Sequence, residues 1–198
     1  MNKFYAWMLG LVSVFAFTAC DDDVDRAMAL SGDWTGYYGS WYAYDYGHGD
    51  IVEYDSYKSD VVFYPDYDYA THGYGIQLDY YKKGPYRQQY FRFYWDVKGR
   101  DIYLTYPHNH DLDTVIYDYT LSNYHFTGYF GDSDDFFDMT KITSYYDWSP
   151  YYDDWGYWYY DDWYYGYAKT RNLNKDSVEI PLKPEEGKIV KYGHRIKK

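Results

Sequence analysis

One cysteine in 198 residues leaves no partner for an internal disulfide, so no covalent staple within the chain holds it folded. Apolar residues other than tyrosine are scarce. Tyrosine supplies 34 residues of the 46% hydrophobic total, and the remainder of about 29% makes a thin core unless tyrosine rings are themselves buried. No apolar run reaches the roughly 20 residues of a membrane-crossing helix, which excludes a polytopic membrane protein. Positive charge is short: 19 Lys and Arg stand against 31 Asp and Glu, a net charge of -12 that makes nucleic acid a poor partner. The chain also lacks a Gly-x-Ser-x-Gly elbow, a phosphate-binding glycine loop and a dinucleotide fingerprint. What remains is β-forming residues, a mean hydropathy of -0.76 and a length that suits one β domain with extensions.

Residues 1–19 read as a secretory leader, with Lys3 as the positive start and an apolar stretch from Tyr5 to Phe17 that ends in small residues. The lone cysteine, Cys20, falls at the expected cleavage point. Phe17-Thr18-Ala19-Cys20 resembles a bacterial lipobox, with Phe17 where Leu is usual. That resemblance implies lipid attachment at Cys20. Asp21, Asp22 and Asp23 follow at once and look like the export signal that carries lipoproteins of Bacteroidota-type bacteria to the outer face of the outer membrane. The expectation is a lipid-anchored outer-membrane protein facing the cell exterior, with residues 20–29 as an acidic tether. Several acyl chains, at about 0.8 kcal/mol per buried methylene, anchor stably where one is marginal.

Charge is distributed unevenly. Residues 169–198 hold nine Lys or Arg against four Asp or Glu, a balance of +5, and form a basic C-terminal extension. With Lys3 the only charge before residue 21, residues 21–168 carry -18, which is -12 less the +5 and +1 at the two ends. Such a tail can fold back onto an acidic body.

From Leu30 to Ile142 the pattern alternates with period two, broken by turn clusters about every ten to fifteen residues. In Tyr90 to Val97, Phe91, Phe93, Trp95 and Val97 share one face, while Tyr90, Arg92, Tyr94 and Asp96 share the other. Lys98-Gly99-Arg100 turns the chain, and Ile102, Leu104 and Tyr106 continue the apolar face. The pattern predicts eight strands, near 33–44, 51–65, 71–82, 88–98, 101–107, 113–121, 124–130 and 135–143, with no convincing helix. Without room for crossover helices the sheet is antiparallel, and eight meandering strands can close into a barrel. A two-sheet sandwich is the rival architecture.

Leu30-Ser31-Gly32-Asp33-Trp34-Thr35-Gly36 resembles the Gly-x-Trp opening of lipocalin-like barrels, and Tyr117-Asp118-Tyr119 echoes a second motif of that family. The likeness covers residues 30–143 and is nearest to lipocalin-like lipoproteins of gut-type bacteria. It implies an all-β, antiparallel barrel of about eight strands, in which Trp34 plugs the closed end beneath a basic residue of the last strand. Lys141 is the candidate here, where lipocalins prefer Arg.

Residues 144–168 are a low-complexity segment of Tyr, Trp, Asp and Gly. An imperfect repeat reads Tyr145-Tyr146-Asp147-Trp148, then Tyr151-Tyr152-Asp153-Asp154-Trp155, then Tyr159-Tyr160-Asp161-Asp162-Trp163. Aromatic rings with polar tips give rigid contact surface, and mutual repulsion of the Asp residues keeps it hydrated. Tyr151, Trp155, Trp158 and Trp163 form the candidate binding strip, the blander alternative being a tract that packs on the barrel wall. Beyond it, Val178 to Leu182 and Lys188 to Tyr192 suggest a hairpin about Pro184-Glu185-Glu186-Gly187.

Catalytic chemistry has little purchase. His108, His110 and Asp111 make an incomplete metal set, and neither Asp132, Asp134, Asp135 and Asp138 nor Asp66 and Asp68 match a calcium loop. No metal and no cofactor are expected, and the protein reads as a non-enzyme; a hydrolase would need converging carboxylates or histidines. Two readings stay open. In one the barrel binds a small amphipathic ligand or glycan. In the other it is filled, and an envelope protein partner or the cell surface meets the aromatic-acidic segment and basic tail.

Overall fold

The computed structural model describes residues 22–47, 49–131, 135–148, 151 and 187–195. A helix over 22–30 leads into strands β1 (Gly32–Tyr37), β2 (Ser40–Asp45), β3 (Ile51–Pro65), β4 (His72–Tyr81), β5 (Gln88–Lys98) and β6 (Asp101–Thr105). A short 3-10 turn, His110–Leu112, precedes β7 (Thr114–Leu121), β8 (His125–Phe130) and β9 (Asp135–Lys141), and β10 (Lys188–His194) is the last described strand.

Every pairing is antiparallel. β3 to β9 follow one another as a meander, and β1 closes the ring by pairing β3 on one edge and β9 on the other. The result is a closed eight-stranded barrel, the all-β architecture that the strand rhythm predicts, and it excludes the open sandwich. Closure leaves these eight strands without a long free edge.

The predicted first strand exists as two. β1 and β2 pair successive stretches of β3, but the register slips by one residue between them. The slip falls at Gly39, where φ is +71° and a Cβ would stand 2.8 Å from the carbonyl oxygen of Arg195, so glycine is required. Beyond the slip β2 leaves the β9 seam, and β10 takes its vacant edge. Lys188 onward is thus a strand, as its sequence suggests, but it pairs with β2; 178–182 lies outside the described residues.

The helix over 22–30 is a departure from the tether expected there. Its Arg26 pairs with Asp22 and Asp23, while Asp23 and Arg26 also bind the backbone of Gly99 in the β5–β6 turn. Ala27 and Leu30, three residues apart and therefore on one helix face, are fully buried at the base of the barrel core.

Inside, β5 presents Phe91, Phe93, Trp95 and Val97 and β6 presents Ile102 and Leu104, the faces that alternation assigns. Aromatic rings touch in an unbroken path through the core. Trp34 meets Phe126 at 5.6 Å between centroids, Phe126 meets Phe63 at 6.4 Å, and Phe63 meets Phe93 at 5.3 Å. Phe93 then meets Tyr106 at 5.4 Å, Tyr106 meets Phe91 at 6.5 Å, and Phe91 meets Tyr192 of β10 at 5.1 Å. These separations fall in the range where tilted and edge-to-face pairs are favourable. Tyrosine supplies the missing apolar volume: Tyr38, Tyr42, Tyr44, Tyr81 and Tyr106 are all buried.

Candidate functional site

Three places on this barrel concentrate chemistry, and the first is its base. Trp34 and Lys141 are cross-strand partners in the β1–β9 seam. The Trp34 indole is fully buried, donates from Nε1 to the Leu30 carbonyl at 2.7 Å, and lies 5.0 Å beneath Lys141 Nζ. Lys141 Nζ also donates to the Ala29 carbonyl at 2.9 Å, so one side chain ties the last barrel strand to the helix. Burial lowers the Lys141 pKa, opposed by the nearby Asp33 carboxylate. This is structural chemistry, a cation over an indole at a partly desolvated position.

The second place is a polar layer within the barrel, near β10. Gln77 and Asp79 of β4 are fully buried, as is Ser59 of β3. Ser59 Oγ donates to Asp79 Oδ1 at 2.5 Å; Gln77 Nε2 donates to Asp79 Oδ2 at 2.9 Å and to Ser40 Oγ at 3.0 Å. The Tyr106 hydroxyl donates to Gln77 Oε1 at 2.6 Å. Burial pushes the Asp79 carboxyl up to about 6 against the opposing pull of these hydrogen bonds. Nearby, His194 of β10 stacks on Phe130 at 4.2 Å and meets Tyr38 edge-on at 5.4 Å. Its Nε2 is buried without a hydrogen-bond partner, and burial lowers the imidazole to about 3. The carboxylate is enclosed by its own donors, which is the arrangement of a satisfied core network.

The third place is outside, where β3, β4 and β5 expose an apolar floor of Val62, Ile76 and Leu78. Trp148 covers it and is only 3% exposed. The indole Nε1 of Trp148 donates to Asp33 Oδ1 at 2.7 Å. The Tyr146 hydroxyl lies 3.1 Å from that of Tyr80. Tyr151 packs on Tyr90 at 5.6 Å, its hydroxyl accepts from Gln88 Nε2 at 2.8 Å, and its carbonyl accepts from Arg92 Nη2 at 2.7 Å. Beneath this cover Asp60 is fully buried, held by Thr35 Oγ1 at 2.6 Å and Lys58 Nζ at 2.9 Å. Burial, with Asp60 adding its charge, pushes the Tyr146 hydroxyl up to about 12. Burial likewise raises the Asp33 carboxyl, against the lowering by its Trp148 bond.

The residues singled out in the sequence are therefore dispersed. Trp34 and Lys141 meet at the base, and Tyr151 is docked on the outer wall. Asp22 and Asp23 lie in the helix beside Arg26. Cys20, Asp21, Trp155, Trp158 and Trp163 lie outside the described residues. His110 Nδ1 sits 2.9 Å from Asp113 Oδ2 in an exposed turn, and His72 pairs with Asp66 at 3.4 Å. Among the described residues no group of three or more His, Cys, Asp or Glu is placed to hold a metal. None of their helices is long and apolar enough to cross a membrane.

Sequence reasoning did not find the polar layer or the outer groove. On β4 the usual rule is inverted: Ile76 and Leu78 face out, and Gln77 and Asp79 face in. Only the Tyr-Tyr-Asp-Trp unit itself signalled that something would cover that outer face. Comparison with protein-family models, curated proteins and solved structures finds no match.

Proposed function

We propose that this is a lipid-anchored lipoprotein of the bacterial outer membrane, facing the exterior, whose filled lipocalin-like barrel is a non-catalytic scaffold that contacts envelope partners through its aromatic-acidic segment and basic tail. The observation that carries the filled-barrel reading is the ring path from Trp34 to Tyr192, which runs through the volume a hollow barrel would offer a ligand. The polar groups that could greet a small molecule, Asp79 and Gln77, bond to each other and to Ser59, Ser40 and Tyr106. Contact surface lies outside instead. The outer wall already receives Tyr146, Trp148 and Tyr151, so aromatic-acidic sequence is seated there within this chain.

The anchor rests on Cys20 and the lipobox-like residues before it, and Cys20→Ala is expected to release the protein from membranes. For the contact role, chemical cross-linking on intact cells compares the unaltered chain with Trp155→Ala, Trp158→Ala and Trp163→Ala combined. The expected result is loss of the cross-linked species with an unchanged barrel melting temperature. Cross-links that persist in the triple variant would overturn the role given to the segment.

A further inference from the structure

The groove on β3–β5 holds the first of three similar units. Trp148 fills an apolar floor and offers its N–H to Asp33, and three residues on the carbonyl of Tyr151, the first residue of the second unit, accepts a hydrogen bond from Arg92. The chain repeats the Tyr-Tyr-Asp-Trp theme twice more, ending at Trp155 and Trp163. Each barrel offers one such groove among its described residues, so units outnumber the grooves that can seat them.

We propose that the groove is a receptor for these units and that a second copy of this chain supplies its occupant, so that copies on one membrane link by exchanging aromatic-acidic units. The inference rests on the reading of the segment as a contact surface and names the partner. Three features of the seat make it general. The floor takes an indole of any origin, the Asp33 carboxylate needs only an N–H, and Arg92 grips main chain rather than a side chain. The later units carry one more Asp before their Trp, which moves the tyrosine pair by a residue. The Tyr146 to Tyr80 contact is therefore particular to the first unit and favours it in its own groove.

Competition sets when exchange occurs. A unit joined to its own barrel acts at an effective concentration of order millimolar, so an outside unit wins when copies are crowded, as on a shared membrane, or when the inside unit is lost.

Sedimentation velocity on the full chain in mild detergent tests this. Trp148→Ala empties the indole seat on the groove floor, weakening the hold of the inside unit, and is expected to lower the concentration for self-association by about tenfold. Adding Trp155→Ala, Trp158→Ala and Trp163→Ala to it is expected to return the chain to monomer. A Trp148→Ala chain no more associated than the unaltered one, or association that survives all four substitutions, overturns the proposal. Should Trp148→Ala not fold, as read by its near-ultraviolet circular dichroism, a synthetic peptide of residues 151–163 is added to the unaltered chain. Displacement of Trp148, seen as a shift of its indole N–H resonance, is expected, and an unmoved resonance at millimolar peptide overturns the proposal. Copies that stay monomeric while cells still lose cross-links in the triple tryptophan variant would leave the contact-surface reading standing and remove this one.

Discussion

Lys141 sits over Trp34, its ammonium 5.0 Å from the indole centroid, at the seam where the first and last barrel strands meet. Between them these two residues join three elements: β1, β9 and, through the carbonyls of Ala29 and Leu30, the helix over 22–30. The closed end is thus sealed by an indole whose N–H is satisfied and whose face carries a cation. Gly32 belongs to the same arrangement, since a Cβ there would stand 3.1 Å from the Lys141 side chain.

Trp34→Ala is expected to destabilise the barrel by about 3 to 5 kcal/mol, the usual range for emptying a large aromatic site. Lys141→Met keeps the aliphatic stem and loses the bond to Ala29, so it should lower stability by only about 1 to 2 kcal/mol. Urea denaturation followed by fluorescence checks both. A Trp34→Ala loss below that of Lys141→Met would mean the indole is not the keystone of the seam.

Asp79 and His194 predict opposing pH dependences. The Asp79 carboxyl is raised to about 6 from 3.8, so the folded chain binds its proton more tightly. Its contribution is fully present below the unfolded pKa and is lost as pH rises through 6. His194 is lowered to about 3 from 6.5, so its neutral form is the stable one; that contribution is present above 6.5 and lost as pH falls. Each unit of displacement corresponds to about 1.4 kcal/mol. Between pH 6.5 and 4, Asp79→Asn should therefore lose stability more steeply than the unaltered chain, and His194→Phe less steeply. Parallel urea titrations across that range measure this, and curves that track the unaltered chain for both variants would contradict it.

Trp148 and Asp33 are 115 residues apart in sequence and share one hydrogen bond. Trp148→Phe retains a ring on the floor but leaves the partly buried carboxylate of Asp33 without its donor, at a cost of about 1 to 3 kcal/mol. Asp33→Ala with Trp148→Phe should cost less than the sum of the two, because each single change already removes the bond. A double-mutant cycle on unfolding free energies is expected to return a coupling of about 0.5 to 3 kcal/mol, and additivity would remove the bond from the account.

Gly39 controls how β10 docks. Its positive φ and the close Arg195 carbonyl make Gly39→Ala strained on both counts, with an expected loss of about 1 to 3 kcal/mol. The effect should be local. Hydrogen exchange is expected to quicken for β2 and β10 amides while β5, on the far side of the ladder, keeps its protection; uniform loss would make Gly39 a determinant of the whole fold.

Much of the barrel was legible because side-chain alternation is a local signal. Phe91, Phe93, Trp95 and Val97 face inward as their spacing says, and Gly99 turns the hairpin. Gly32-Asp33-Trp34 marked the first strand because the motif lies in consecutive residues. The helix over 22–30 was hidden by its acid-rich composition, though Ala27 and Leu30 at a three-residue spacing, with Arg26 facing Asp22 and Asp23, carried the signal. The groove was not legible, since Ile76 and Leu78 owe their outward facing to a cover that arrives 70 residues later. Gln77 and Asp79 were silent for the complementary reason: an amide and a carboxylate in a strand read as solvent-facing until Ser59 is brought to Asp79, and Ser40 and Tyr106 to Gln77, from elsewhere in the chain. Long-range partners of this sort leave no periodicity.

The central claim is that the barrel interior is filled by its own side chains. Native mass spectrometry of the Cys20→Ala chain tests it, with one sample exposed to an extract of envelope lipids and glycans and the other not. The account predicts the bare protein mass in both, while a ligand-binding barrel run beside them retains its ligand. A stoichiometric small-molecule adduct on this chain, lost when Phe91 or Tyr106 is enlarged to Trp, would contradict it.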